Sequence, residues 1–340
     1  MIWVAWRQHR TALLALGLYV LVLLVLMVYY RATMLAVVDM RGWSECVPSR
    51  YAAGCLRRLD ATVWGWYESV DNVRLALIGY GVLVGVFLGA PLFAREFEQN
   101  THLFALSQSV RPSRWFAAKV AVVAVPAALG ALVLGAVYRW WTTALGKLVV
   151  PQEGFHAGLF EPQPPALFGY VVFAVGLGVV VGLVVRRVVP AMAVTLVAWL
   201  GALYAVRRFA RPDYLTPLVL ERPFGDYRIG YEADQDRWRL AEGVTDAAGR
   251  FVSSRDEVVQ DATRSCQISS GGQHSVEYHD CMTALGYRSG ADLVQPGDRF
   301  WVFQAIEATL FTAAGVLCVL GAMWWLRKRF RRDIRVPAAA

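Results

Sequence analysis

The stretches that most resemble a catalytic motif are incomplete. The loop that cradles nucleotide phosphates reads G-x-x-x-x-G-K-[ST]. The only Gly-Lys dipeptide, Gly146-Lys147, is followed by Leu148 and lacks the upstream glycine. We interpret Ser269–Gln273, which reads SSGGQ, as a Gly/Ser turn because no phosphate-binding motif accompanies it. Neither G-x-S-x-G nor H-E-x-x-H occurs, so no catalytic residues are expected.

Four neighbouring residues have side chains that can bind a metal ion: His274, Glu277, His279 and Asp280. The two histidines are not four residues apart, so they do not share one helix face as paired zinc ligands do. A solvated turn is the favoured interpretation, and no metal is expected.

Glu307 is the one acid inside an apolar run, Trp301–Leu326. Ionisable residues within a membrane are costly and often functional. Gln304 precedes Glu307 by one helical turn, and the two are candidates for the outer end of a substrate path. Glu307 has two other interpretations: an ion pair with an arginine near a span end, such as Arg299, and a headgroup-level side chain that reaches water.

The elements that hold these residues are apolar blocks of membrane-spanning length. The chain has 340 residues and is 57% hydrophobic and 18% charged, with a mean hydropathy of +0.41. Soluble domains are about 45–50% apolar and about 25% charged. A spanning helix needs roughly 20 apolar residues. Six blocks meet this length, at about 11–30, 75–93, 116–137, 167–185, 188–206 and 301–326.

Basic residues near the ends of these blocks predict the orientation. The side that holds the N-terminus carries 14 basic residues and three acids in short loops and tails. Basic residues in short loops stay on the cytoplasmic side, so both termini are expected inside. The same charges face anionic lipid headgroups, so lipids are expected partners and nucleic acid is not.

The remaining segments complete an all-α polytopic plan. Residues 1–10 are expected to form an amphipathic interfacial helix, and residues 327–340 a basic cytoplasmic tail. Outer loops are predicted at 31–74 and 139–166, and an inner loop at 94–115. Residues 207–300, between spans five and six, are expected to form a small extracellular domain of the α+β type.

Four of the five cysteines fall in the predicted outer segments. Local pairing, Cys46 with Cys55 and Cys266 with Cys281, is favoured because each bond closes a short loop within one segment. An oxidising exterior permits such bonds. Free thiols remain the alternative, and zinc ligation is disfavoured because no C-x-x-C pair exists.

The inner loop resembles the signature of type-2 ATP-binding-cassette (ABC) exporter permeases. In that family a Glu is followed three residues on by Thr, then by a basic turn and by a Lys that opens the next span. Glu98, Thr101, Ser109–Arg111 and Lys119 occupy these places. Asn100 replaces the usual glycine, and the proline before the basic turn is absent. The entry to the last span, Gln295–Glu307, also resembles actinobacterial members.

The resemblance implies a permease that couples to a separate ATPase through a helix in this loop. The residues assigned to coupling are Arg95, Glu96, Phe97, Glu98, Thr101, His102, Phe104 and Arg111. On the residues alone, the loop is equally consistent with a helix on the lipid surface. The resemblance also implies a second permease copy or homologue.

The expected function is therefore export across the cell membrane, driven by ATP and Mg²⁺ bound to the partner ATPase and by no cofactor on this chain. Drugs, peptides and lipids all remain open as substrates. The alternative function is a non-transporting membrane sensor or assembly protein whose extracellular domain binds a ligand or partner.

Overall fold

The protein is mostly helical and spans the membrane several times. The computed structural model describes residues 2–46, 61–99, 112–149, 155, 159–224, 237–270 and 276–333. Within these residues, six helices are long and apolar enough to cross a membrane. In chain order they are Trp6–Arg41, Gly65–Glu98, Ser113–Gly146, Pro164–Val185, Val188–Asp213 and Gly297–Lys328. The six apolar blocks of the sequence therefore correspond to six helices.

The first five spans are formed by six α-helices and two π-helical stretches. The first span lies in α1 (Ile2–Arg41). The second consists of α2 (Ala61–Leu83), a π-helical stretch (Val84–Gly89) and α3 (Pro91–Glu98). The next three contain α4 (Pro112–Val149), α5 (Pro164–Val185) and α6 (Val188–Ala205), and α6 continues into a second π-helical stretch (Val206–Ala210).

A small strand domain separates the fifth and sixth spans. Its strands are β1 (Leu218–Arg222), β2 (Arg237–Asp246), β3 (Phe251–Ser253) and β4 (Tyr287–Pro296). They form an antiparallel sheet in the order β1-β4-β2-β3. Between β3 and β4 lie α7 (Glu257–Ser270) and α8 (Val276–Ala284), and the last span lies in α9 (Phe300–Asp333).

A disulfide joins the two helices of the strand domain. Cys266 of α7 is bonded to Cys281 of α8. Cys266 and Met282 are fully buried beside Val244 and Val259. Cys46 is also disulfide-bonded, and its expected partner, Cys55, lies outside the described residues. Cys318 of α9 is a free cysteine.

The helices extend beyond the apolar blocks, which changes several predicted boundaries. Residues 2–10 are the first turns of α1 and not a separate interfacial helix. Residues 31–41 and 61–74, assigned to an outer loop, are helical, and so are 94–98 and 112–115 of the inner loop. Hydropathy detects only the part of a helix that lies in hydrocarbon. Backbone hydrogen bonds continue the helix into the polar region beyond it.

α5 is the central span, and its glycines bring neighbouring backbones into direct contact. A Cβ atom on Gly182 would lie 2.3 Å from the carbonyl oxygen of Ala90, at the start of α3. On another face of α5, a Cβ on Gly176 would lie 2.3 Å from the carbonyl oxygen of Gly315 in α9. Small residues permit such close packing in membranes, where van der Waals contact drives helix association.

We predict that Gly315→Ala destabilises the bundle. A Cβ at this position would lie 2.6 Å from the carbonyl oxygen of Val172, and a backbone atom of α5 cannot move aside as a flexible side chain can. Overpacking of this kind costs typically about 1–3 kcal/mol. The thermal unfolding midpoint of the purified chain should therefore fall.

Gly321→Ala is the matched control, in the same helix and with the same added methyl group. A Cβ on Gly321 meets no atom within 4 Å, so its midpoint should stay the same or rise slightly, because alanine favours helix. Equal midpoints for the two variants would contradict close α5–α9 packing.

Candidate functional site

A buried ionic cluster lies where the fifth and sixth spans meet the strand domain. We call it the Arg211 cluster: Glu161, Tyr170, Arg211, Tyr214 and Glu307. Arg211 is 3% exposed, Glu161 is 1% exposed and Glu307 is 0% exposed. These groups come from four different parts of the chain, so the cluster exists only in the folded bundle.

The end of the fifth span places Arg211 inside the bundle. The backbone N–H of Arg211 donates to the carbonyl oxygen of Val206, five residues earlier, which is the π-helical pattern. Arg207 and Arg208, in the same stretch, are exposed. Because a π-helical turn contains an extra residue, it rotates the residues that follow relative to a regular helix. Arg211 is turned inward as a result.

The guanidinium of Arg211 binds both carboxylates. Its Nε and Nη2 atoms lie 2.9 Å and 2.7 Å from the two oxygens of Glu307, which makes a bidentate pair. Its Nη1 atom donates to Oε1 of Glu161 at 2.8 Å. The ring centre of Phe160 lies 4.1 Å from the guanidinium carbon. Bidentate pairs and ring stacking are contacts that arginine makes and lysine does not.

Two tyrosines complete the coordination of Glu307. The hydroxyl of Tyr170 in α5 donates to Oε1 of Glu307, and the hydroxyl of Tyr214 lies 3.3 Å from Oε2. Burial, followed by the charge of Glu307, raises the pKa of Tyr214 well above its ordinary value. The phenol therefore stays protonated and remains a hydrogen-bond donor at neutral pH.

The structure decides between the interpretations of Glu307 as an ion pair or as a headgroup residue. Its partner is an arginine near a span end, as one interpretation expected, but this arginine is Arg211 and not the example Arg299. Arg299 instead donates to the carbonyl oxygen of Thr216 and to Gln295. A side chain that reaches water is wrong, because Glu307 is fully buried. The pair therefore joins a positive side chain at the end of the fifth span to a negative side chain inside the sixth span.

Gln304 supports the cluster from one turn away on α9. Its Oε1 atom accepts from the backbone N–H of Ala166 in the first turn of α5, at 3.2 Å. Its Nε2 atom donates to the carbonyl oxygen of Phe160, at 2.8 Å. Gln304 thus satisfies an N–H group at a helix start and fixes the segment that carries Glu161.

Aromatic side chains surround the cluster and connect it to the strand domain. The ring of Phe155 lies 5.0 Å from that of Phe303 and 5.6 Å from that of Trp238 in β2, measured between centroids. Phe160 lies 5.7 Å from Phe300. We call Phe155, Phe160, Trp238, Phe300 and Phe303 the aromatic cluster. It covers the buried charges on the side of the sheet.

A second set of contacts lies at the C-terminal end of the second span, in the last turn of α3. Glu96 forms a buried ion pair with Lys119 of α4. Phe97 lies 5.5 Å from the guanidinium carbon of Arg186, the residue that ends α5. The Oε2 atom of Glu98 accepts a hydrogen bond of 2.9 Å from the backbone N–H of Val188, at the start of α6.

The last turn of α3 therefore touches three other spans directly. Arg186 also lies 5.9 Å from the ring centre of Trp325 in α9. Successive helical residues point about 100° apart, so one turn reaches several neighbours. We call Arg95–Glu98 the α3 hub.

The α3 hub contains half of the residues that the sequence assigned to coupling. The other four, Thr101, His102, Phe104 and Arg111, lie outside the described residues. Across the described parts of the chain, no group of three or more His, Cys, Asp or Glu side chains is arranged to hold a metal ion.

Sequence reasoning missed Arg211 and Glu161 as functional residues. The signal that could have found them is the need of Glu307 for a buried counterion. Several arginines lie near predicted outer span ends, and Glu161 stands in a proline-rich segment that reads EPQPP. The spacing of these residues along the sequence does not show which of them reaches Glu307.

Six helices of membrane-spanning length with a charged, closely packed hub at one end define a multi-pass membrane protein. A model of the family described as ABC-2 membrane transporter related matches residues 17–211. The chain belongs to this family. The matched region includes the α3 hub and ends at Arg211. No curated protein and no solved structure matches the chain.

Membership makes the chain a permease-type membrane component that is not itself catalytic. Permeases of this kind generally work with an ABC ATPase partner and often form dimers.

We predict that Glu307→Gln strongly destabilises the fold. The change removes the charge of the carboxylate that Arg211 contacts through two bonds and leaves a single amide oxygen as acceptor. Breaking a buried ion pair costs about 3–5 kcal/mol. Thermal unfolding in detergent should show a large fall in the midpoint.

Glu242→Gln is the matched control, with the same chemical change in the strand domain. Glu242 pairs with Arg222 at 2.6 Å, but its side chain is 53% exposed, and exposed pairs contribute about 0–1 kcal/mol. A Glu307→Gln midpoint as high as that of Glu242→Gln would show that the buried pair is dispensable.

Proposed function

We propose that this chain is the permease subunit of an ATP-driven exporter in the plasma membrane. The observation that carries the proposal is the α3 hub within a chain of the ABC-2 family. The hub stands at the start of the segment that resembles the coupling loop, and its side chains contact α4, α5 and α6.

In the proposed mechanism, a separate ATPase subunit binds ATP and Mg²⁺ and docks on residues 100–111. Closure of the ATPase displaces the end of α3. Because Glu96, Phe97 and Glu98 each contact a different span, one displacement reaches three spans at once. Arg186 extends the movement to α9 through Trp325.

The proposed orientation places the α3 hub in the cytoplasm and the strand domain outside the cell. Basic side chains near the hub support it: Arg95, Arg186 and Arg187 are on that side. The disulfide between Cys266 and Cys281 lies at the other end, where an oxidising exterior would maintain it.

A second permease copy, or a homologue, would complete the transport path. The outer spans α1, α6 and α9 bury only a small part of their apolar surface, and many of their large apolar side chains are exposed. Lipid and a second permease are the two environments that would cover such surfaces in a membrane. In this proposal Gln304 and Glu307 line the outer end of the path when it opens.

The first test is purification of the tagged chain from its native membrane in mild detergent. Recovery of an ABC ATPase in equimolar amount, with ATP hydrolysis, is the expected result. Recovery of the chain alone in several detergents, without ATPase activity, would overturn the proposal and favour the sensor or assembly function.

We predict that Glu98→Arg abolishes stimulation of the partner ATPase while the chain stays folded. The carboxylate of Glu98 accepts from the N-terminus of α6, where a negative charge is favoured by about 0.3–1 kcal/mol. An arginine there loses the contact and is repelled by the helix dipole. The small energy leaves the fold intact, so ATP hydrolysis by the complex is the informative measurement.

Glu68→Arg is the control, since it makes the same charge change at the opposite end of the same span. Glu68 is exposed, and this variant should keep full stimulation. Normal stimulation in Glu98→Arg, or an equal loss in both variants, would remove the coupling role of Glu98.

A further inference from the structure

The Arg211 cluster has one more carboxylate than it has cations. Arg211 binds three of the four carboxylate oxygens of Glu161 and Glu307. Among the described residues, one oxygen of the two carboxylates therefore has no contact with Arg211.

This fourth carboxylate oxygen belongs to Glu161. Oε2 of Glu161 is buried and has no hydrogen-bond partner among the described residues. The same holds for Oε1 of Gln163, two residues further along, in a side chain that is 6% exposed. Two buried acceptors without donors in one short segment are unusual, because buried polar groups are normally hydrogen-bonded.

Packing keeps solvent away from this segment. A Cβ atom on Gly135 of α4 would lie 2.8 Å from Cα of Pro164 and 3.1 Å from the carbonyl oxygen of Pro162. Backbone therefore lies directly against backbone beside Glu161. The oxygen stays unpaired because the surrounding protein is close-packed, and not because its side chain turns toward water.

The surroundings of Glu161 are those that recognise an organic cation. An unpaired carboxylate oxygen in a medium of low dielectric constant attracts positive charge strongly. The faces of aromatic rings attract cations as well, and Arg211 already lies over Phe160. Phe155 and Phe303 of the aromatic cluster provide apolar surface next to these charges.

We propose that the Arg211 cluster recognises the transported substrate as an organic cation, with an ammonium or guanidinium group on an apolar body. The N–H of the cation donates to Oε2 of Glu161, and the apolar body rests on the aromatic cluster. This substrate class deepens the proposed export function and rests on it.

Glu307 and Glu161 are held in the cluster by different numbers of hydrogen bonds, and this difference indicates which contact breaks when the site opens. Glu307 has two bonds to Arg211 and two tyrosine hydroxyls, whereas Glu161 has one bond to Arg211. In the proposed opening, the segment that carries Glu161 moves away from Arg211 and loses its contacts with Gln304 and Phe300, while Arg211 stays with Glu307. The separation exposes Oε2 of Glu161 to a ligand.

The test is thermal unfolding of the full chain in lipid nanodiscs, with decylammonium as the probe and decanol as its uncharged counterpart. At a hundredfold excess over its dissociation constant, decylammonium should raise the midpoint by about 5 °C or more. Decanol, sodium and potassium should not. No shift with decylammonium, or an equal shift with decanol, sodium or potassium, overturns the assignment of an organic cation.

Glu161→Gln should remove the shift with decylammonium, because the amide has no charge to offer. This variant keeps an oxygen that accepts from Arg211, and it leaves the pair with Glu307 in place. Glu242→Gln should retain the full shift. An undiminished shift in Glu161→Gln overturns the proposed site, whereas the purification with the ATPase tests the exporter function separately.

Discussion

A hydrocarbon layer offers no water to a buried polar group, and this constraint organises both ends of the bundle. Each ionisable side chain that enters the core has to find a partner from another span. Glu307 pairs with Arg211 at one end, and Glu96 pairs with Lys119 at the other. Each pair joins two consecutive spans, so satisfying the charges also fixes how these helices are arranged against each other.

Between the two ionic sites, α5 holds the bundle together by backbone contact. Gly176 and Gly182 face different neighbours, α9 and the start of α3. The α3 hub lies at one end of this tightly packed unit and the Arg211 cluster at the other. Close-packed helices move as rigid bodies more readily than they deform. In the proposed mechanism, a movement that begins at α3 is passed along α5 toward the strand domain.

The sequence predicted the class of protein and its spans well, because a membrane helix has a strong and local signal. The apolar blocks, the position of the strand domain and the importance of Glu307 all followed from single segments. Helix ends were less predictable: α1 continues to Arg41, well beyond the apolar run. An arginine near a span end was expected as the partner of Glu307, with Arg299 as the example, and the partner is Arg211, which follows a π-helical stretch at the end of the fifth span.

By itself, the sequence determined the six spans, the charge difference between the two ends and the resemblance to the family, since each depends on composition or on adjacent residues. Tertiary structure alone decided that Glu161, Arg211 and Glu307 meet, and that one carboxylate oxygen has no donor among the described residues. Glu161 and Glu307 are separated by 146 positions. Which side chains face each other over such a distance depends on how whole helices pack. A π-helical turn before Arg211 is enough to change which side chain faces the inside of the bundle.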